Sequence, residues 1–191
     1  MCSSDLRDYL LSLPGEGSQL PRVLDVGCGP LSPLAWGVDS KILDLTAVDP
    51  LADVYRFLLR AYRLDFPVTP VRCPVERLLS RFAPESFDVV YSRNALDHVE
   101  DADACIANIC ALLRKNGRFF FDGITREGTR QNWRGLHKHD FYVADGRLMW
   151  SGEDGKAIDF SARHGLSLVY QNQVSFRTGE WFRLEFGRRT S

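Results

Sequence analysis

Between residues 22 and 123, short apolar runs alternate with segments whose apolar residues recur at helical spacing. The strand-like runs are RVLDVG, LDLTAVD, PVTPVRC, SFDVVYS and RFFFDG, and the helix-like segments include LADVYRFLLRAYR and DADACIANICALLRKNG, with Lys-Asn-Gly as its stop. Such alternation implies right-handed crossovers between parallel strands and a sheet covered by helices on both faces. We therefore predict a doubly wound α/β fold that binds its ligand beyond the carboxyl ends of the strands.

The pattern changes after Gly123. HKHDFYVADGRLMWSG alternates polar and apolar residues around Asp145-Gly146, which indicates a β-hairpin. GKAIDFSARHG predicts a helix that ends at Gly165, and LSLVYQNQVSFR with EWFRLEFGRR predicts two strands joined at Thr178-Gly179. The expected fold is a mostly parallel seven-stranded sheet with a C-terminal antiparallel strand pair and an inserted hairpin after the fifth strand.

The length of 191 residues, 45% of them hydrophobic, suits a single domain. Residues 1–21 are expected to form an N-terminal helix, SSDLRDYLLSL, and a linker that begins at Pro14-Gly15. Residues 124–155 are expected to form an inserted cap over the strand ends.

Composition excludes several functional classes. The 24 Lys and Arg balance 25 Asp and Glu without a basic block, so nucleic acid is not an expected partner. No segment approaches the roughly 18 apolar residues of a membrane span, and the N-terminus has acids where a signal peptide has bases. The odd number of cysteines and the lack of a C-x-x-C favour a reducing, cytoplasmic setting over disulfides or a zinc site. The cysteines are Cys2, Cys28, Cys73, Cys105 and Cys110.

Four segments occur in a suggestive order: VLDVGCGP, TAVDP about twenty residues later, FDVVYSRNALDHV, and LLRKNGRFFF. Together they resemble the ordered motifs of class I S-adenosylmethionine-dependent methyltransferases, over roughly residues 22 to 123. Each motif alone is a weak signal, but the order and spacing of all four are specific. The resemblance implies S-adenosyl-L-methionine as cofactor and methyl transfer as the reaction.

The resemblance also implies which residues bind the cofactor. Gly27 and Gly29 permit a tight turn and let backbone amides approach the ligand. Asp25 would orient the methionine amino group, and Asp49, at the end of the second strand, would accept both ribose hydroxyls. Further implied contacts are Cys28 in the turn and Ser92 at the fourth strand. Pro50 and Leu51 would form a wall of the adenine pocket, and Cys73, Val75 and Glu76 would lie along the adenine edge.

Two features depart from the family pattern. A third glycine, expected near Leu31 or Ser32, is absent, and Cys73 stands where the family often has an acid. Instead, we expect Ser32 to cap a helix over SPLAWGVDSK. Simpler readings stay open: the glycines could serve the turn alone, and Asp49 could cap the helix that follows it.

Candidate catalytic residues lie on two segments. Asn94 and His98 are four residues apart, so a helical turn would place them on one face. His137 and His139 are two apart, so a strand would do the same. The two insertion imidazoles could act as a base, a substrate clamp or half of a metal site. The sequence identifies no third ligand, so no metal is predicted.

Each candidate also has a structural reading. His137 and His139 could be the solvent-facing residues of an exposed strand. Asp97 and His98 could be ordinary turn residues ahead of Asp101, which is expected to cap the next helix.

The insertion is the best candidate for acceptor recognition. Its composition suits a small polar acceptor, and it would equally suit a homodimer contact. Because a hydroxyl acceptor benefits from a general base, O-methylation is favoured. The alternatives are a non-catalytic partner protein with the same fold, or a dinucleotide-dependent oxidoreductase, although GCGPLS fits G-x-G-x-x-G only in part. The insertion residues considered are Arg126, Arg130, Trp133, Arg134, His137, His139, Tyr142 and Trp150.

Overall fold

The computed structural model of the chain describes residues 4–13, 19–176 and 179–188. Within these ranges the strands are β1 (Arg22–Val26), β2 (Asp44–Asp49), β3 (Val71–Arg72), β4 (Phe87–Arg93), β5 (Leu113–Ile124), β6 (Asp140–Ala144), β7 (Arg147–Ser151), β8 (Ala157–Asp159), β9 (Leu166–Phe176) and β10 (Gly179–Arg188). The α-helices are α1 (Ser4–Ser12), α2 (Ala35–Asp39), α3 (Ala52–Ala61), α4 (Ala102–Leu112), α5 (Glu127–Arg130) and α6 (Phe160–Arg163). Two 3-10 helices cover Val75–Ser80 and Leu96–His98.

Seven strands form the main sheet, in the order β3-β2-β1-β4-β5-β10-β9. The pairs among β1 to β5 are parallel, whereas β10 runs antiparallel to both β5 and β9. This confirms the predicted fold class. The strand order reverses at β1, whose neighbours are β2 and β4, so the carboxyl ends of these three strands border the expected crevice.

The insertion forms a separate three-stranded antiparallel sheet, in the order β6-β7-β8. Its first two strands form the predicted hairpin, with Asp145 and Gly146 both at positive φ (49° and 70°) in the turn. The third strand was not predicted. The segment GKAIDFSARHG begins as β8, which pairs with β7, and only Phe160–Arg163 is helical, with Asp159 as the capping residue.

Helices and the small sheet cover the two faces of the main sheet. One face packs against α1 and α2 through a cluster that includes Leu6, Leu10, Leu34 and Phe120. The other face packs against α4 and the small sheet through a larger cluster of buried residues.

Helix α4 is shorter than its sequence predicts. It ends at Leu112, five residues before Gly117, because Leu113 already pairs with Phe87 as the start of β5. The side chain of Arg114 then binds both carboxylate oxygens of Asp88 at 2.8 and 3.0 Å. Tertiary pairing thus overrides the helical pattern of the last turn.

Several expectations fall on residues outside the described ranges: those about Cys2, Pro14-Gly15 and Thr178. The other four cysteines are free thiols. None of the helices in the described ranges has the length and apolar character needed to cross a bilayer.

Candidate active site

The turn after β1 is held against β2. The backbone amides of Gly27 and Cys28 both donate to the carbonyl of Val48, at 2.9 and 3.1 Å. Gly27 and Gly29 have φ of 68° and 65°, a region that favours glycine. A Cβ at Gly27 would lie 2.3 Å from the Cβ of Ala95, whereas at Gly29 it would meet no described atom within 4 Å. Gly29 therefore borders open space.

Asp25 lies in β1 and is buried. The hydroxyl of Ser32 donates to its Oδ2 at 2.5 Å, so Ser32 does not cap α2, whose N-cap is Leu34. Burial raises the pKa of Asp25 to about 7, and the charge of Asp49 adds to the rise while the Ser32 hydrogen bond opposes it. A cationic group that reached this carboxylate would replace the lost hydration and favour its ionised form.

Asp49 connects the ends of the first two strands. Its Oδ2 accepts from the amide of Gly29 at 3.1 Å, and its Oδ1 accepts from the amide of Leu51 at 2.8 Å. A carboxylate offers about four lone-pair sites, so two remain for a ligand. Pro50 and Leu51 follow on the same edge, and the side chain of Leu51 is 53% exposed. Asp49 can therefore both bond the backbone at the start of α3 and bind a ligand.

The segment after β3 adjoins this edge. The amide of Cys73 donates to the carbonyl of Asp49 at 3.3 Å, and Val75 is buried behind it. Glu76 is directed elsewhere, because its Oε1 accepts from the amide of Glu100 at 2.9 Å. Burial raises the thiol pKa of Cys73, which argues against a reactive thiolate.

The thiol of Cys28 is likewise kept protonated. Burial is the main cause of its raised pKa, and the charges of Asp25 and Asp49 add to it. Cys28 is therefore a small residue that fills the turn rather than a nucleophile.

The end of β4 carries two of the residues predicted from sequence. Ser92 is fully buried and its hydroxyl donates to the carbonyl of Val26 at 3.0 Å, which ties β4 to β1. Asn94 is exposed and has a φ of 49°, and the 3-10 helix begins only at Leu96. Asn94 and His98 therefore do not share a helical face, contrary to the prediction.

Three side chains meet where the insertion contacts the segment after β4, and we call them the imidazole cluster: Asp97, His98 and His137. Asp97 Oδ2 lies 2.7 Å from His137 Nδ1 and 3.2 Å from His98 Nε2, and the two ring nitrogens are 3.2 Å apart. The amide of Lys138 donates to the carbonyl of Asp97 at 2.9 Å, so the backbones are joined as well.

The charge state of the cluster follows from its contacts. Burial alone would raise the pKa of Asp97, but its bonds to His98 and His137 outweigh burial and lower it. The hydrogen bond that His98 donates to the Asp97 carboxylate in turn raises the pKa of His98, against the opposing effect of burial. The sequence does not identify Asp97 as a site residue, because its partner His137 is 40 positions away.

His139 does not join the cluster. Residues 137–139 precede β6 and are not in a strand, so the prediction that His137 and His139 share a strand face is wrong. His139 Nε2 donates to the carbonyl of Val99 at 2.9 Å, and Nδ1 accepts from the indole of Trp150 at 3.1 Å. Burial lowers its pKa, so a neutral His139 fastens the insertion to the segment between β4 and α4.

The remaining polar residues of the insertion form a surface beside the cluster. Arg126 stacks on the ring of Tyr142 at 3.6 Å from the ring centre, and Arg130 pairs with the buried Glu127 at 2.6 Å. Trp133 packs over Gly128, where a Cβ would come within 2.6 Å of the indole. These side chains are thus held by contacts within the insertion itself.

Comparisons with known proteins identify the family of the chain. A family model described as a methyltransferase domain matches residues 24–121, slightly more than half of the chain. The chain is 33% identical over 123 residues to the ubiquinone biosynthesis O-methyltransferase of Photorhabdus laumondii, a match covering 62% of this chain and 49% of that protein. It is 27% identical over 161 residues to the enzyme of that name from Idiomarina loihiensis, covering 76% and 64%. The chain thus spans about half to two thirds of the length of these curated relatives.

A solved structure shows the same fold. The Burkholderia thailandensis 1,6-didemethyltoxoflavin-N1-methyltransferase, with bound 1,6-didemethyltoxoflavin and S-adenosylhomocysteine, superposes with a TM-score of 0.59 at 18% identity. The superposition covers 98% of this chain and 79% of that one.

The first prediction tests the open space at Gly29. In the Gly29→Ala variant the new methyl group would enter the crevice, so affinity for S-adenosylhomocysteine should fall at least about tenfold. A tenfold fall corresponds to about 1.4 kcal/mol of binding free energy. Gly146→Ala is the matched control, because its φ of 70° is similar and its Cβ would also meet no described atom. Both variants should lose about 1–2 kcal/mol of stability from left-handed backbone. Calorimetric titration that finds parental affinity in both variants would contradict the assignment.

The second prediction concerns pH. The cofactor's ammonium group should bind the ionised form of Asp25, so affinity for S-adenosylhomocysteine should increase as pH rises through about 7. It should decrease again above about pH 8, where a free α-amino group loses its proton. Ser32→Ala should shift the rise to higher pH, because the lost hydrogen bond had lowered the pKa, and Asp25→Asn should abolish it. A flat profile for the unsubstituted protein would refute this role.

Proposed function

Because the chain belongs to the methyltransferase domain family, we propose that it binds S-adenosyl-L-methionine across the ends of β1 and β2 and transfers its methyl group to a small-molecule acceptor. The family matches the one expected from the sequence motifs. The observation that carries the proposal is Asp49, whose carboxylate fixes the amides of Gly29 and Leu51 and retains acceptor sites at the border of the crevice.

The cofactor contacts follow from the positions of these groups. Asp25 would bind the methionine ammonium group, the turn at Gly27 and Gly29 would offer its backbone, and Asp49 would accept the ribose hydroxyls. Leu51 and Val75 would enclose the adenine, with Cys73 and Pro50 beside it. We assign Glu76 and Ser92 structural roles, since both side chains already bind backbone groups.

Methyl transfer is an in-line displacement at carbon. The acceptor atom forms a bond to the methyl carbon, the carbon–sulfur bond breaks, and the sulfur keeps the electron pair. The protein must therefore align the acceptor, exclude water and remove any proton that the acceptor carries.

We propose a hydroxyl oxygen as the acceptor atom. The imidazole cluster follows directly after β4, at the same sheet edge as the glycine turn, and can assist loss of the hydroxyl proton. The curated relatives from Photorhabdus laumondii and Idiomarina loihiensis are named as O-methyltransferases, which supports the same atom. We assign acceptor activation to Asp97, His98 and His137, and no catalytic role to His139 or Asn94.

The remaining features of the proposal concern partners and organisation. Balanced charge supports a small acceptor rather than a nucleic acid. Four further points stay predictions. They are the single-domain organisation with residues 124–155 as the cap, a homodimer contact through the insertion, the lack of a membrane partner, and the cytoplasmic setting.

The third prediction separates a methyltransferase from a dinucleotide enzyme. Calorimetric titration should detect binding of S-adenosylhomocysteine and none of NADH, because the turn lacks the third glycine that allows close packing on a pyrophosphate. Binding of NADH without S-adenosylhomocysteine would overturn the proposal.

The fourth prediction tests acceptor activation. A screen of phenols, sugars and small amines with S-adenosylmethionine, read as S-adenosylhomocysteine release, should identify an acceptor. On that acceptor His137→Ala should lower kcat by roughly 10²–10⁴-fold and leave cofactor affinity nearly unchanged.

The matched control for this prediction is His164→Ala. His164 bonds to Asp103 at 2.9 Å, away from the imidazole cluster, so its loss should leave kcat and KM unchanged. If His137→Ala also leaves both constants unchanged, the cluster has no part in acceptor activation.

A further inference from the structure

The three donor atoms of the imidazole cluster face one another. Asp97 Oδ2, His98 Nε2 and His137 Nδ1 form a triangle with edges of 2.7, 3.2 and 3.2 Å. Hydrogen bonds cannot serve all three edges at once. If both rings donate to the carboxylate, the two N–H groups oppose each other, and if one ring donates to the other, the acceptor ring loses its bond to Asp97.

A divalent cation satisfies all three atoms together. Tetrahedral zinc with nitrogen and oxygen ligands at about 2.0–2.2 Å requires ligand atoms roughly 3.3 Å apart. Two of the observed edges, at 3.2 Å, already match this spacing, and the third, between Asp97 Oδ2 and His137 Nδ1 at 2.7 Å, would lengthen by about 0.6 Å. The sequence did not identify this site, because its two imidazoles come from different segments and its third ligand is the overlooked Asp97.

We propose that Asp97, His98 and His137 bind one divalent transition-metal cation, with zinc as the reference ion. Two imidazoles and one carboxylate are ligands suited to zinc, iron or manganese, whereas calcium and magnesium prefer oxygen ligands alone. This inference rests on the proposed methyl transfer and specifies how the acceptor is activated.

Burial indicates an open rather than a closed coordination sphere. The side chain of Asp97 is only 8% exposed, whereas those of His98 and His137 are 34% and 25% exposed. The neighbouring carboxylate of Glu127 is already bound by Arg130 and Gln131, so it is not assigned as a ligand. Three protein ligands with a vacant position describe a catalytic site, in which water or substrate is the fourth ligand.

The chemistry of the bound ion fits the reaction. A hydroxyl oxygen on the cation would lose its proton to solvent water, because the cation lowers the hydroxyl pKa. The resulting alkoxide or phenolate attacks the methyl carbon, and the cofactor sulfur leaves with the electron pair. The cation would also join the insertion, which carries His137, to the 3-10 helix after β4, which carries His98.

Metal binding can be measured without cofactor or acceptor. After treatment with a chelator, the full chain is titrated with Zn²⁺ by calorimetry and with Co²⁺ by visible absorption. We expect one ion per chain, and the d–d bands of a low-symmetry site with Co²⁺. His137→Gln and Asp97→Asn should each weaken Zn²⁺ binding by about tenfold or more.

The matched control is His164→Gln, which removes an imidazole outside the cluster and should leave Zn²⁺ affinity unchanged. His98→Gln replaces the most exposed of the three ligands, so it supplies a folded variant, checked by circular dichroism, if the others do not fold. Saturating Zn²⁺ should raise the Tm of the parent and not of the cluster variants.

Two results would overturn the proposal: no Zn²⁺ binding by the parent, or equal binding by the parent and the folded cluster variants. In either case the cluster is not a metal site. The proposed methyl transfer fails on different observations, namely the lack of S-adenosylhomocysteine binding or of turnover. The two failures are therefore distinguishable.

Discussion

The site depends on one carboxylate, that of Asp49. It is buried at the end of β2 and accepts from the amides of Gly29 and Leu51, so it holds the glycine turn and the start of α3 in fixed relation. Parallel strands bring their carboxyl ends to one edge, but they leave the turns beyond that edge without sheet hydrogen bonds. Asp49 supplies bonds of this kind to the two turns, and its remaining acceptor sites lie where a ligand with hydroxyl groups would arrive.

A second constraint is electrostatic. Asp25 and Asp49 place two carboxyl groups beside one crevice, and burial with mutual repulsion raises the pKa of Asp25 to about 7. A ligand with an ammonium and a sulfonium group would relieve both effects, because it brings positive charge to the place where burial disfavours negative charge. The same charges raise the pKa of the Cys28 thiol, which keeps a cysteine inert at the centre of the site.

The sequence predicted the fold more completely than the site, for a physical reason. Hydrophobic periodicity and turn residues are local, so they identified the seven strands, the hairpin at Asp145-Gly146 and the glycine turn. Pairing between distant segments is not local, and it explains two wrong predictions of helix. Leu113 pairs in β5, and Ala157–Asp159 pair in the small sheet. The separation of His139 from His137 has the same origin, since each ring finds a partner about 40 residues away.

The insertion is fastened to the segment between β4 and α4 by residues that border the site. His139 bonds Val99, and the amide of Lys138 bonds Asp97, so the position of His137 is fixed from its own C-terminal side. A loop that brought only a side chain to the crevice would have to become ordered each time the site formed, at a cost in conformational entropy. Here the backbone contacts are made once, on folding, and the imidazole of His137 is held within 3.2 Å of His98 before any ligand arrives. The acceptor recognition proposed for the insertion and the acceptor activation proposed for the cluster would therefore be properties of one packed unit.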